Sequence, residues 1–244
     1  MNSFLYAAAE YKRHRPQYPL SLYEYLASLT PSRNTVVDCG TGNGQAATDL
    51  KKYFKKIIAT DLSYDLLSAA PKLPDLMYVQ AKAEYLPIQS QSIDMVCIAQ
   101  ALHWFSLNEF YKEVKRVLKP AGIIAAWCYN QCTVESEIDK LIHKIYTKIT
   151  GIKNTSQERQ YVYDHYQTIP FPFNKIITPY FELDVEWDLM QLYGYISTWP
   201  GLLEYEKKFN SRLLSQLENE FILAWGDVTV KKTIKWPINL LVGQ

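Results

Sequence analysis

The chain has 244 residues, with 26 basic against 25 acidic side chains (net charge +1), 48% hydrophobic and 21% charged. That length suits one α/β domain with a full core, and the near-neutral balance argues against a dedicated nucleic-acid surface, which shows as a basic excess. No apolar run approaches a membrane span, the first residues lack the charged start and apolar core of a signal peptide, and Cys39, Cys97, Cys128 and Cys132 have neither CxxC nor metal spacing.

Free core thiols in a cytoplasmic protein are therefore expected, with no metal, no membrane and no nucleic-acid partner. Along the chain, strands alternate with helices from residue 20 to 127, which predicts a parallel sheet. The strands read Thr35–Cys39, Lys56–Asp61, Leu76–Gln80, Ile93–Ala99 and Ile123–Trp127. Several are apolar on consecutive residues, as when helices cover both faces. A helix opens on a Ser-x-x-Glu capping box at Ser106 and Glu109, carries Phe110, Val114, Val117 and Leu118 as its stripe, and ends at Pro120. A longer helix puts Ile138, Leu141, Ile142, Ile145 and Ile149 on one face and stops at Gly151. Residues 151 to 160 are polar and read as a loop. Residues 161 to 187 are dense in aromatic rings. Two more strands, near Glu182–Trp187 and Thr229–Leu241, complete the sheet, with helices between them broken at Trp199-Pro200-Gly201.

The segment Val36-Val37-Asp38-Cys39-Gly40-Thr41-Gly42-Asn43-Gly44 carries the chemistry. An apolar strand runs into three glycines spaced two apart, and a helix pattern follows at Gln45–Leu50. Glycine lets a backbone turn tightly and lie against a ligand, and the start of a helix points amide donors toward it. The dinucleotide fingerprint needs its third glycine where Gln45 stands, and no Gly-Lys-Ser/Thr ends the run as in a P-loop. The strand Lys56–Asp61 ends in a carboxylate 21 residues after Gly40, suited to a bidentate bond to ribose hydroxyls. The site reads as one for an adenosine ribose without a pyrophosphate.

Asp38-x-Gly40-x-Gly42-x-Gly44 and Asp61 resemble the first motif and the ribose-binding acid of the class I S-adenosylmethionine-dependent methyltransferases. Ala83-Glu84-Tyr85-Leu86-Pro87 resembles that family's loop along the adenine. Ser92-Ile93-Asp94-Met95-Val96 resembles its strand-four motif, and Leu118-Lys119-Pro120-Ala121-Gly122 the turn before strand five. Tyr11-Lys12-Arg13-His14-Arg15-Pro16-Gln17-Tyr18-Pro19 and Ala99-Gln100-Ala101-Leu102-His103-Trp104-Phe105 resemble signatures of a small-molecule branch that includes the trans-aconitate methyltransferase type. One departure is Lys82, where many members carry an Asp that bonds the adenine amino group; the backbone of Ala83 remains for that task.

The resemblance implies an α/β, Rossmann-like, doubly wound, seven-stranded, mostly parallel sheet in a single domain over 1–244. Its parts are a lid segment at 1–30, a cofactor-binding core at 31–130, an aromatic-rich cap at 131–228 that holds strand six, and a final strand at 229–244. It implies S-adenosyl-L-methionine as cofactor, held by Gly40, Thr41, Gly42 and Gly44, by Asp61 and Leu62, and by Ala83, Glu84 and Gln100, with Tyr11 and Arg15 closing over it. Asp38 is expected to orient the loop by accepting backbone hydrogens. His103 is the candidate general base, or a hydrogen-bond donor to an acidic substrate, with packing against Trp104 as the structural alternative. Tyr18, His103, Trp104, Tyr163, Tyr166 and Trp199 are candidate walls of the acceptor pocket, since ring faces also attract a sulfonium.

Methyl transfer is an in-line displacement that needs binding and alignment, and no base where the nucleophile is already a carboxylate. The expected function is methyl transfer to a small organic acceptor, with a carboxylic acid favoured by the resemblance. RNA or protein methylation is an alternative; against it stands Gln100-Ala101-Leu102-His103 in place of an Asn/Asp-Pro-Pro-Tyr/Phe motif. A non-catalytic or partner-dependent cofactor-binding module stays open, as does the choice between monomer and homodimer. A dehydrogenase is argued against by Gln45.

Overall fold

The computed structural model describes residues 15–151 and 156–244. Seven strands form one sheet: β1 Thr35–Cys39, β2 Lys56–Asp61, β3 Leu76–Gln80, β4 Ile93–Ala99, β5 Leu118–Cys128, β6 Phe181–Trp187 and β7 Lys232–Gly243. Their order is β3-β2-β1-β4-β5-β7-β6. β1 to β5 pair in parallel and β7 runs antiparallel to β5. Val36 to Cys39 of β1 and Ile93 to Ile98 of β4 are buried without a break, because helices cover both faces of a parallel sheet. The strand order reverses between β1 and β4, and the crevice outside the carboxyl ends of such strands is where open α/β sheets take ligands.

The chain divides into two compact units. The first comprises Gln17–Tyr129, Glu158–Phe181 and Ile238–Gln244. Its core joins Val37, Ile98, Phe110, Val114 and Ile124 to Tyr166 and Ile169. The second holds Asn130–Gln157 and Glu182–Pro237, together with Arg15 and Pro16. Its core is aromatic: Trp236 is fully buried, donates its indole N–H to the Tyr195 hydroxyl at 2.9 Å, and lies edge-on to Tyr195 and Trp187. All four cysteines are free and buried. Among the described residues, no helix is long and apolar enough to cross a membrane.

One buried carboxylate organises the amino ends of the central strands. Asp94, 4% exposed, accepts the Ser32 hydroxyl (2.5 Å), the amides of Asn34 (2.9 Å) and Thr35 (2.8 Å), and the Lys119 ammonium (2.5 Å). Burial works to raise its pKa, but Lys119, Ser32 and the two amides outweigh it and hold the carboxyl below the usual range.

The structure corrects four local expectations. β5 begins at Leu118 instead of Ile123, because Leu118 pairs with Ile93 ahead of a register shift. β7 begins at Lys232 instead of Thr229, because the Asp227 carboxylate captures the Thr229 amide (3.0 Å) and hydroxyl (2.7 Å) in a turn. Ser106 makes no side-chain cap: the Glu84 carboxylate takes its amide at 2.8 Å, and Glu109 pairs with Lys112 instead. A short helix, Gln157–Tyr163, falls in and beyond the expected loop, and none of its residues is buried. The long helix, Ser136–Thr150, does end at Gly151, though with φ −72° and so without a left-handed cap.

Candidate active site

The glycine loop leaves β1 at the switch point with Gly40, Gly42 and Gly44 at φ +71°, +58° and +81°. Four of its amides are committed to the protein. Gly40 and Thr41 both donate to the Thr60 carbonyl (2.8 and 2.9 Å), Gly42 donates to the Asp61 carboxylate (2.8 Å), and Gly44 donates to the Thr41 carbonyl (3.0 Å). A phosphate cradle needs such N–H groups turned outward, so this loop is not one. What it offers instead is bare backbone: a Cβ on Gly42 would meet nothing within 4 Å. The flanking glycines are closed in. A Cβ on Gly40 would lie 2.6 Å from the Ala101 Cβ, and one on Gly44 would collide with the Tyr78 hydroxyl.

Two carboxylates support this loop differently. Asp38 is fully buried and accepts the Thr41 hydroxyl at 2.5 Å. Burial pushes its carboxyl up to about 6, against the pull of Thr41. Asp61, at the carboxyl end of β2, accepts the Gly42 amide on one oxygen and the Ser63 amide on the other, both at 2.8 Å. Two of roughly four lone-pair sites are thereby used. The next residue, Leu62, is 63% exposed, Tyr85 after β3 is 73% exposed, and Trp104 after β4 is 59% exposed. Three large apolar side chains thus stand uncovered beyond the carboxyl ends of β2, β3 and β4.

The turn after β4 packs on the loop through Ala101 and Phe105, the neighbours of Gly40. Gln100 holds a left-handed backbone (φ +56°), bonds its amide to the Trp127 carbonyl, and gives its side-chain N–H to the Tyr129 carbonyl at 2.9 Å. A non-glycine residue in that region stores strain, and here two bonds to the end of β5 hold it. The 3-10 turn Leu102–Trp104 follows. His103 is 7% exposed, and its Nδ1 lies 2.8 Å from the Tyr166 hydroxyl. Burial lowers its pKa to about 4, with Glu158 pulling the other way, so the ring is neutral at physiological pH.

A clamp that the sequence did not reveal holds Leu86 and Ile88. The Glu113 carboxylate accepts the Leu86 amide (2.6 Å), and Arg116 donates to the carbonyls of Leu86 (3.1 Å) and Ile88 (2.8 Å) while paired with Glu113 (2.7 Å). Arg116→Ala would leave two carbonyls and a carboxylate without that donor. It is expected to cost about 1–2 kcal/mol in denaturant unfolding, and a wild-type midpoint would show that the clamp is idle.

The structure brings Asp38, Gly40, Thr41, Gly42, Gly44, Asp61 and Gln100 together at the switch point, with His103 and Tyr166 joined to each other by a hydrogen bond. Ala83 is buried, and Glu84 spends its carboxylate on Ser106. Tyr18 is core, edge-on to Trp127 at 5.5 Å. Tyr163 closes the Gln157–Tyr163 helix and is half-buried. Arg15 and Trp199 belong to the other unit, where each meets Tyr195: the guanidinium lies 5.1 Å from the ring centroid and Trp199 is edge-on. Tyr11 lies outside the described residues. Thr60, Tyr78, Glu113 and Arg116 escaped the sequence reading. The i,i+3 spacing of Glu113 and Arg116 was the one available signal, and it is shared by many exposed helix pairs.

A family model described as a methyltransferase domain matches residues 37–126, which include the loop, Asp61, the 83–88 segment and the His103 turn. A protein of Dictyostelium discoideum named as a methyltransferase is 32% identical over 218 residues, 88% of this chain and 83% of its own length. The malonyl-(acyl-carrier protein) O-methyltransferase of a Marinomonas species is 38% identical over 110 residues, 41% of each chain. Among solved structures, one described as a type II methyltransferase from Anaeromyxobacter dehalogenans superposes with a TM-score of 0.88 at 29% identity, covering 94% of this chain and 97% of its own.

Proposed function

We propose that this chain, which belongs to the class I S-adenosylmethionine-dependent methyltransferases, methylates a carboxylate of a small organic molecule. The observation that carries the acceptor class is the turn after β4: of Gln100 to Phe105, only His103 titrates, and it is buried and neutral. A ring whose pKa burial has lowered this far is a weak proton acceptor, which suits an acceptor that arrives already ionised. The name of the Marinomonas relative, an O-methyltransferase of a malonyl group, supports transfer to a carboxyl oxygen. The balanced net charge supports a small acceptor over RNA.

The residues fit the cofactor that the family uses. S-adenosylmethionine supplies an electrophilic methyl group on a sulfonium. Gly42 offers backbone with open space above it, and Asp61 keeps acceptor capacity beyond its two amides, which suits ribose hydroxyls. Leu62 and Tyr85 offer uncovered apolar surface of the kind an adenine ring buries. The Ala83 backbone, three residues before the Leu86 that Glu113 and Arg116 clamp, is assigned to the adenine edge.

A calorimetric titration with S-adenosylhomocysteine tests the cofactor half. Wild type should bind, and Asp61→Ala should lose about 1–3 kcal/mol, the usual effect of losing a charged hydrogen bond. Asp61→Asn, which keeps an acceptor for one of the two amides and turns a donor toward the other, should still fold and bind more weakly. Absent wild-type binding would overturn the cofactor assignment and favour a partner-dependent or inactive module. For the acceptor half, small mono-, di- and tricarboxylic acids, trans-aconitate among them, are incubated with S-adenosylmethionine and screened by mass for methyl esters. Turnover of amines or RNA alone would sink the carboxylate reading.

A further inference from the structure

We infer that His103 acts as a neutral hydrogen-bond donor to the acceptor through its Nε2–H, and that Tyr166 is the positioning residue that holds the ring in that tautomer. This rests on the methyltransferase reading for the identity of the acceptor, but its structural half stands on the geometry alone.

The Tyr166 phenol is 1% exposed and packs in the core of its unit. A buried hydroxyl needs an acceptor for its proton. Among the described residues, the one bonded to it is His103 Nδ1, at 2.8 Å. The backbone N–H groups of His103 and Leu102 also lie toward the phenolic oxygen. Were Nδ1 protonated, that oxygen would face a further donor while its own proton pointed at nothing. Tyr166 therefore donates and Nδ1 accepts. A neutral imidazole carries one proton, which leaves it on Nε2. No hydrogen bond within the described structure uses Nε2.

Backbone strain marks the turn that carries Tyr166. His165 and Tyr166 are consecutive non-glycine residues in the left-handed region, at φ +56° and +58°. The Tyr166 amide bonds to the Tyr161 carbonyl (2.8 Å), and His165 Nδ1 lies 3.0 Å from the Asn239 side-chain amide. The turn is held in a costly shape that delivers the phenol to the imidazole.

The chemical consequence concerns proton balance. A donor at this point cannot take a proton from the acceptor. The acceptor's carboxylate oxygen forms its bond to the methyl carbon while the carbon–sulfur bond breaks and its electron pair stays on sulfur. No proton is released, so none has to be removed. A hydrogen bond from Nε2–H to the carboxylate fixes the orientation of the attacking oxygen.

The test uses the full chain labelled with 15N-histidine and long-range 1H–15N correlation spectra, with His103→Gln identifying the ring by the signals it removes. The expected result is a protonated Nε2 and an unprotonated Nδ1, unchanged from about pH 8 to about pH 5. Tyr166→Phe should let the ring populate both tautomers. A wild-type ring protonated on Nδ1, or a Tyr166→Phe ring with the wild-type pattern, overturns the inference. Once an acid is turned over, His103→Gln keeps a donor near the Nε2 position and should retain roughly a tenth or more of kcat, with His103→Asn falling further; a general base would lose both equally. Failure of wild type to bind S-adenosylhomocysteine would sink the cofactor reading and leave the tautomer result standing, so the two failures are distinguishable.

Discussion

Gly40→Ala is expected to lower unfolding stability by about 2–5 kcal/mol and to remove S-adenosylhomocysteine binding. The backbone at +71° places an L-residue in a region that costs about 1–2 kcal/mol. The new methyl would also stand 2.6 Å from the Ala101 Cβ and 3.0 Å from Phe105 Cζ. The Ala101 Cβ has no torsion that moves it aside, so relief must come from the backbone of one turn or the other, an overpacking cost of about 1–3 kcal/mol. Either movement displaces the loop from Thr60 or the His103 turn from its seat. Gly42→Ala is the informative control. It meets the same torsional cost at φ +58° but no steric one, so it should lose only about 1–2 kcal/mol while its methyl fills the open face assigned to the cofactor. Denaturant unfolding beside calorimetry on both variants separates the effects. A Gly40→Ala protein with wild-type midpoint and affinity would show that the loop and the turn are not coupled.

The central strands were legible because burial on both faces leaves little choice of residue. β1 to β4 fall on the expected bounds, each an apolar run between turn signals. The misreadings share one cause, a local pattern overridden by a side chain from elsewhere. Ser106-x-x-Glu109 has the form of a capping box, but Glu84, 22 residues away, reaches the amide first. Thr229 and Val230 suit a strand by propensity, but Asp227 holds the Thr229 amide and Trp225 donates its indole N–H to the Val230 carbonyl at 2.9 Å. The same distinction runs through the site. Gly40, Gly42, Gly44 and Asp61 announce themselves by spacing along the chain. Tyr78 matters to Gly44, and Tyr166 to His103, only across the fold. The rings of Tyr166 and His103 belong to residues 63 apart in sequence; each was recognisable as a candidate wall, whereas the bond between them was not.

Asp94→Ala is expected to cost about 2–4 kcal/mol at neutral pH, measured by denaturant unfolding. Removing the carboxylate leaves two amides, a hydroxyl and the Lys119 ammonium without their shared acceptor. Breaking a buried pair of this kind costs about 3–5 kcal/mol, reduced here because the Lys119 side chain is 35% exposed and water takes part of its charge. The pH dependence gives the sharper test. The folded pKa of Asp94 is lowered, so its contribution is complete above the unfolded carboxyl value of 3.8 and is lost as pH falls through the lower folded value. The gap between wild type and variant should therefore stay constant from about pH 7 to about pH 5 and close below about pH 4. Two other groups titrate above that window with opposite signs. His103 falls from 6.5 unfolded to about 4 folded, so the stability it contributes is lost as pH drops between those values. Asp38 rises from 3.8 to about 6, so it penalises the fold above about 6 and relieves it as pH drops. Between about pH 4 and 6 the unfolded chain takes up a proton at His103 and the folded chain takes one up at Asp38, and the two slopes oppose. Asp94 is thereby exposed as the group that sets the acid limit among the three. A gap that has not begun to narrow by about pH 3 would mean that packing, and not the ionised carboxylate, holds the amino ends of β1, β4 and β5 together.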